Sequence, residues 1–522
     1  MQHTRHFPNE VVASPHHLAS AAGAAVLRAG GNAVDGAVAA NLVLSVVTPY
    51  MCGAGGDLFA IVAEPDGTVH ALQSAGRTPA GLTIEAVRRA LPEPHGATLP
   101  ELGALPVSVP GAVAGWHALL ERHGTMEFGR VAEDAVRLAE EGFPVSPTGA
   151  GAFARGRQRH VTSASWQEAF GDVAVGQRLR QPRLAAFLRT IADDGPDALY
   201  GGPLGEQLAA FLQEEGSSMT VEDLAAHEVT DVTPMTTTYG DLEVLELPPP
   251  TQGVTALQAL GTADRLRRAH DDHDTDEAVR IHLQVEAVRA ALVDRTAHLG
   301  DPARMRVEPA ELIAPERLDA IAERIDPERV GDWPPATPQP GGTAYLCAGD
   351  RDGRSISLIQ SNFMGFGSGL VAPFGVGLQN RAARLSMDPD AADAVAPSVV
   401  PLHTLIPGLA RRDGDVALTF GTMGGDGQPQ THLQVLDHLR RGATLQEAHA
   451  DWRFVVQPND GLVVVEGRAP ETVVQGLRDR GHEVHRVDDW NGLAGHAHAI
   501  EQVDGGWAAA SDPRSEGGAI GT

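Results

Sequence analysis

The stretch "PPATPQPGGTAYLCAGDRDG", residues 334–353, decides how the chain is read. A proline-rich leader runs through Gly341 and Gly342 and stops at Thr343, the first residue of a segment with strand character. "TAYLCAG" and the following "RSISLIQ" flank "DRDG", the spacing of a β-hairpin. One reading is an exposed linker ahead of an ordinary hairpin. The other is a self-cleavage junction that releases Thr343 as an N-terminal nucleophile. A threonine hydroxyl attacks poorly unless a base takes its proton, and a free α-amine, with a pKa of about 8, can be that base. To become N-terminal, Thr343 must attack the Gly342 carbonyl and form an ester that water opens. Glycine before the bond tolerates the backbone strain this needs.

Composition narrows the classes of function. In 522 residues, 68 acidic against 40 basic side chains give a formal charge of −28, which argues against nucleic acid or an anionic membrane as partner. All the basic residues are arginine. Without lysine there is no Schiff base to pyridoxal phosphate and no lysine of a phosphate-binding loop. Cys52 and Cys347 are too few for a disulfide framework or a Cys-rich zinc site. The opening "MQHTRHFPNEVV" has no apolar signal core, and no apolar run approaches the roughly 18 residues of a membrane span, so a soluble, cytoplasmic chain is expected.

The length allows two to four average domains or one large α/β core. Residues 18–48 read as two alanine-rich helices broken at Gly30-Gly31, followed by a hairpin around Asp66-Gly67. Helical spacing marks 131–141, ending at Gly142, and most clearly 276–297, where Val279, Val285, Val288 and Leu292 fall on or near one face. Asp274 and Glu277 are spaced as that helix's N-cap and its partner. A tether over 331–342, with four prolines and two terminal glycines, leads into a strand-rich part with further strands at 416–420, 462–466 and 507–510. The part before the tether reads as mostly helical.

Several segments, in order, resemble the γ-glutamyltransferase family of N-terminal-nucleophile hydrolases. Besides "GGTAYLCAGDRDGRSIS" with the later "FGSGLV" and "NR", they are the opening "SPHHLASAAGAAVLRAGGNAVDGAVAANLVLSVVTPYMCGAGGDLF", "VPGAVAGW" (109–116), "LAEEGFPV" (138–145), "TVEDLAAHE" (220–228), "LPPPTQG" (247–253), "FGTMGGDGQPQ" (420–430) and "ASDPRS" (510–515). The resemblance implies a four-layer αββα sandwich and cleavage between Gly342 and Thr343 into a large subunit, 1–342, and a small subunit, 343–522, which stay associated as one intertwined unit. It implies Thr343 as nucleophile and Gly424 and Gly425 as oxyanion-hole donors. Backbone donors need close approach to the developing charge, which a Cβ obstructs. His403 and Thr404 stand where typical members have a Ser-Ser pair that touches substrate, and only Thr404 keeps a hydroxyl.

The departures from the family pattern concern substrate. The family arginine of "R-E-x-A-P" is replaced by "SAGRTPAG", with Arg77 shifted two positions. The acidic residues of "N-x-M-D-D-F", which hold the substrate α-amine, become Ala383 and Arg384 in "QNRAARLS". An ammonium without its carboxylate loses about 1.5–3 kcal/mol. The family asparagine is displaced, and "QSNF" offers Ser361 and Asn362 instead. Arg381 and Arg384 suggest an anionic group lacking the amine, although Arg384 reads equally as a surface residue. These features resemble a divergent bacterial branch of the family that includes an oxamate amidohydrolase. "HDDHDTDE" (270–277) reads as a solvated helix entry rather than a metal site, His16 and His17 as capping or packing residues, and Cys347 as a buried structural thiol that shares a strand face with Thr343.

The sequence thus points to a self-processing hydrolase needing no metal or organic cofactor. It would cleave γ-glutamyl, glutathione-like amides by acyl-enzyme hydrolysis or transfer to an acceptor amine. Two alternatives stay open: an amidohydrolase for another small acidic, oxamate-like amide, and an unprocessed binding scaffold. Homo-oligomerisation is also open.

Overall fold

The computed structural model describes residues 3–91, 96–270 and 274–522. Two helices, α1 (His17–Arg28) and α2 (Ala33–Val47), form where the alanine-rich pattern places them. His16 caps α1 through its ring nitrogen, 3.2 Å from the Leu18 amide. Asn32 and Asp35 close a reciprocal capping box on α2. The helices cross closely because both crossing points are glycine: a Cβ on Gly23 would stand 2.6 Å from the Gly36 carbonyl oxygen. Every residue of α2 is buried, so its apolar side chains contribute to the core around its whole circumference.

Fourteen strands build two seven-stranded sheets. In chain order they are β1 (Arg5–Phe7), β2 (Val11–Ser14), β3 (Asp57–Ala63), β4 (Val69–Ser74), β5 (Thr230–Val232), β6 (Met235–Tyr239), β7 (Leu242–Glu246), β8 (Gly342–Gly349), β9 (Ser355–Phe363), β10 (Gly408–Arg412), β11 (Asp415–Thr422), β12 (Ala497–Val503), β13 (Gly506–Ser511) and β14 (Gly518–Gly521). One sheet runs β1-β13-β12-β11-β10-β7-β6 and the other β14-β2-β8-β9-β3-β4-β5. Three cores separate four layers. Val12, Leu58, Leu346 and Leu358 face α1, α2, α3 (Ala112–His123) and α4 (Phe128–Glu141). Val11, Phe59, Tyr345, Ile359, Leu409 and Trp507 fill the space between the sheets. Val244, Leu418 and Phe420 face α5 (Gly253–Ala269), α6 (Glu277–His298) and α7 (Gly427–Arg440). The period-2 alternation of each strand sends odd residues of β8 and β9 inward between the sheets and even ones to the helices. This is the αββα sandwich.

One expectation needs filling out and two need correction. The part before Thr343 is mostly helical, as expected, and it also supplies β1, β6 and β7 to one sheet and β2–β5 to the other. The strands missed by sequence reading are short or buried on both faces, so alternation is faint. The N-cap of α6 is Asp276, whose carboxylate accepts the Ala278 and Val279 amides at 2.8 and 3.3 Å, while Asp274 pairs with Arg440 at 2.6 Å. Asp271, Asp272 and His273 of the acidic run lie outside the described residues. Third, the tether is not an exposed leader. Glu286 accepts the Gly331 amide and the Trp333 indole N–H, the Ala336 amide meets the Pro458 carbonyl at 2.8 Å, and Ala336 and Gln339 are buried. Proline density signalled a chain that makes few hydrogen bonds of its own, and the fold supplies them from outside.

No described helix is long and apolar enough to cross a membrane.

The C-terminal "ASDPRS" closes a buried ion network. Asp512 accepts from Arg453 at 2.7 Å, from the Ala497 amide at 2.8 Å and from Arg514, whose guanidinium also pairs with Glu466. Burial alone would raise the Asp512 carboxyl, but Arg453 and Arg514 hold it well below the usual carboxylate range. A carboxyl depressed in the folded state contributes stability that is complete above its unfolded pKa, about 4, and is lost as pH falls below that value. Asp512→Asn is therefore expected to cost about 3–5 kcal/mol in denaturant unfolding at neutral pH and to flatten the loss of stability below pH ~4. An unchanged acid limb would remove Asp512 from the account.

Candidate active site

The hairpin of β8 and β9 carries the centre. Its "DRDG" turn is fixed by Asp350, which accepts the amides of Asp352 and Arg354 and, with its other oxygen, the Ala33 amide at the positive end of α2, each at 3.0 Å. Alternation then places Thr343, Tyr345 and Cys347 between the sheets and Ala344, Leu346 and Ala348 against the helices. Cys347 packs in the inter-sheet core, and burial pushes its thiol up, as befits a structural cysteine.

At Thr343 the ladder is irregular. Gly342 pairs with Phe363 and Ala344 with Gln360, so Ser361 and Asn362 together oppose Thr343. Phe363 takes a positive φ of 72°, a strained conformation for an aromatic residue. Thr343 is fully buried, with Oγ1 3.4 Å from Ser361 Oγ. Ser361 Oγ donates to the Gly342 carbonyl oxygen at 2.6 Å and accepts the Phe363 amide at 2.7 Å. One serine hydroxyl thus stands between the threonine hydroxyl and the carbonyl that threonine would attack. Asn362 lies against Gly53 and Gly56, with its Oδ1 buried and unpartnered.

Gly424 and Gly425 follow β11 and precede α7. Gly425 has φ +56°, and a Cβ there would stand 2.4 Å from the Gln339 carbonyl oxygen and 2.9 Å from the Gly341 nitrogen. From the tether side, a Cβ on Gly341 would meet the Gly425 nitrogen at 3.3 Å and Thr343 Oγ1 at 3.7 Å. Glycine pair, tether and threonine hydroxyl therefore meet at one point. Gly495 packs on Gly424 and is held by Arg453 of the C-terminal ion network, which donates to the Ala494 and Gly495 carbonyls at 2.9 and 3.3 Å.

The substrate-side residues divide. Arg381 is 1% exposed, with its guanidinium carbon 4.3 Å from the centroid of the Phe363 ring and all three side-chain nitrogens without a partner among the described residues. Burial lowers it to about 10, against the field of Asp57, so it stays charged at neutral pH. Arg384 instead pairs with Glu101 at 2.9 Å. His403 is buried with both ring nitrogens engaged, 2.7 Å from the Pro401 carbonyl and 2.7 Å from Asp57 Oδ2. Burial and then Arg381 lower its pKa, with Asp57 pulling the other way. Asp57 also accepts the Gly76 and Gly111 amides and the Gln379 side chain at 3.0–3.1 Å. Thr404 Oγ1 is buried and unpartnered. Arg77 is not brought to the centre: it is half-exposed, bonds the Ser398 carbonyl at 2.9 Å, and lines a separate cavity of about 460 Å³ with Ala75, His227 and Pro248–Pro250.

Sequence reading passed over Asp57, Gln252, Arg295 and Asp426. Asp57, Gln252 and Asp426 lie inside quoted motifs; Arg295 sits on a helix with only its spacing as signal. Among the described residues, two clusters have the make-up to hold a metal, Glu64 with His70 and His123, and the buried His282, Glu286 and His482. In the buried one, His282 Nε2 must donate to the Asp326 carbonyl, 2.8 Å away, so its Nδ1 accepts from His482 at 2.7 Å. Glu286 is taken up by Gly331, Trp333 and Arg289. Hydrogen bonds already use His282 and the Glu286 carboxylate, which leaves only His482 Nδ1 without a partner among the described residues.

A family model described as Gamma-glutamyltranspeptidase matches residues 19–522. The oxamate amidohydrolase proenzyme of Klebsiella pneumoniae is 37% identical, covering 97% of each chain. A glutathione hydrolase-like proenzyme of Bacillus subtilis is 33% identical over 98% of each. The crystal structure of cephalosporin acylase from Bacillus halodurans superposes with a TM-score of 0.93 at 34% identity, covering 100% of this chain and 97% of that one.

A Cβ on Gly425 would stand 2.4 Å from the Gln339 carbonyl oxygen and displace the loop; if the pair serves as an oxyanion hole, Gly425→Ala should lower kcat on any amide substrate by about 100- to 1000-fold. It should also slow any cleavage before Thr343. Full activity in this variant would show that the pair is only a turn.

Proposed function

The chain belongs to the gamma-glutamyltranspeptidase family, whose members are amide hydrolases and acyltransferases, and on that premise we propose that it cuts itself before Thr343 and hydrolyses the amide of a small, carboxylate-bearing acyl group. In self-cleavage Thr343 Oγ1 attacks the Gly342 carbonyl carbon while Ser361 Oγ–H polarises its oxygen. The peptide nitrogen leaves as the Thr343 amine and water opens the ester, leaving residues 1–342 and 343–522 associated. The freed amine, with a pKa of about 8, takes the hydroxyl proton in each later turnover and passes it to the leaving amine. The backbone N–H groups of Gly424 and Gly425 hold the oxyanion, and water or an acceptor amine releases the acyl-threonine.

The observation that carries the substrate class is Arg381. A buried guanidinium without a partner is costly, and a ligand carboxylate would complete it. It stacks on Phe363, the residue that pairs with Gly342 beside the proposed scissile bond. Ala383 stands where the resemblance puts the acidic residue that holds the amino-acid ammonium, and Asp57, the anion whose field reaches Arg381, already accepts from Gly76, Gly111, Gln379 and His403. An acyl group with a carboxylate and no amine fits better than γ-glutamyl, and the oxamate amidohydrolase among the relatives supports that preference. We keep His403 as a positioning residue beside this group, since both of its ring nitrogens are engaged.

The test compares oxamate and its longer homologues, the monoamides of malonate and succinate, with a γ-glutamyl anilide. Higher kcat/KM on one of the acidic amides is expected, with Arg381→Ala and Arg381→Met each raising KM for that amide about 10- to 100-fold. Efficient turnover of the γ-glutamyl anilide, unaffected by either variant, would overturn the reading.

A further inference from the structure

A glycine pair has no side chain to fix its own peptide planes, so whatever aims Gly424 and Gly425 must act from outside. The peptide joining Gly425 to Asp426 is pinned at both ends. Its carbonyl accepts from Gln252 Nε2 at 2.9 Å, and its N–H donates to the Gln339 carbonyl at 3.1 Å. Gln252 Nε2 also donates to the Thr404 carbonyl at 3.0 Å. Asp426 returns the contact to the tether, accepting the Gln339 amide at 2.7 Å.

Arg295 holds all of these together. It is 1% exposed on α6, and its guanidinium donates to Gln252 Oε1 at 2.8 Å, to Asp426 Oδ1 at 2.5 Å and to the Thr337 carbonyl at 2.6 Å. The Gln252 amide orientation follows from this, since its oxygen must face the arginine and its nitrogen is left to bond two carbonyls. Unlike Arg381, this buried cation has a carboxylate and two further acceptors, the condition under which a buried charge is tolerated.

We propose that Arg295 and Gln252 are positioning residues that set the Gly424–Gly425 donors and seat the tether before Thr343, so that one brace serves both self-cleavage and turnover. This rests on the oxyanion role given to the glycine pair. Thr337 and Gln339 precede the scissile bond, so the brace spans the two fragments, with Arg295 and Gln252 acting from the large one and Gly425 and Asp426 from the small one. Gln252→Glu keeps shape and the contact with Arg295 but turns the donor to Gly425 into an acceptor, reversing the side-chain contact that holds the Gly425 carbonyl.

The experiment follows the full chain after synthesis. Self-cleavage is timed by intact mass, kcat and KM are measured on oxamate for the processed protein, and thermal unfolding is recorded for Gln252→Glu, Arg295→Met and Arg295→Lys. Expected is a drop of about 10- to 100-fold in the cleavage rate and in kcat for Gln252→Glu and Arg295→Met, with KM within about twofold and a cooperative unfolding transition retained. Arg295→Lys, which reaches fewer of the three acceptors, should fall between these and the parent. Cleavage and kcat at parent levels in all three would overturn the proposal, as would a loss confined to KM or one matched by an equal loss of folded protein. The cleavage readout needs no substrate. Failure of the oxyanion reading itself would instead appear as an active Gly425→Ala protein.

Discussion

A threonine can use its own amine as a base only after the chain is broken in front of it, so the break must fall where the fold can survive it. The proposed break lies at the head of β8, flanked by β2 and β9 in the middle of a sheet. Neither proposed fragment holds a complete sheet. Residues before Thr343 contribute three strands to one sheet and four to the other, and residues after it contribute four and three. Three cores made from both fragments would hold a severed chain together by burial alone. The same interleaving brings Gly425, Gln252 and the tether, far apart in sequence, to one point beside Thr343.

Buried charge is then used in two ways. Arg295, Arg453 and Arg514 have carboxylates and carbonyls in reach, and the first two fix backbone around the glycine pair. Arg381 has none among the described residues, the gap that the proposed ligand carboxylate would fill. In a protein whose basic residues are all arginine, the planar, permanently charged fork suits both tasks: it can bond several carbonyls at once, or take a carboxylate in two parallel contacts.

Local chemistry made much of the fold legible in sequence. The helix break at Gly30-Gly31, the hairpins at Asp66-Gly67 and "DRDG", the α6 stripe and the later strands follow from caps, turns and periodicity, and the structure has them. What failed depended on distance. Asp274 has the capping-box spacing to Glu277, yet it pairs with Arg440, distant in sequence, and Asp276 caps the helix. Arg77, Arg381 and Arg384 look alike in one dimension; only packing makes one half-exposed, one paired and one stranded without a partner. His403 offered a substrate contact by position, yet Asp57, 346 residues away in sequence, occupies its ring. The tether looked like an exposed leader because proline signals a chain without regular structure, and its hydrogen bonds come from Glu286, Thr296 and Asp426.

The most direct measurement is the intact mass of the purified, denatured protein beside a Thr343→Ala control. The account predicts two masses for the parent, corresponding to residues 1–342 and 343–522, and one uncut mass for the control. A single uncut mass for the parent would contradict it, and so would a parent cut at any other bond.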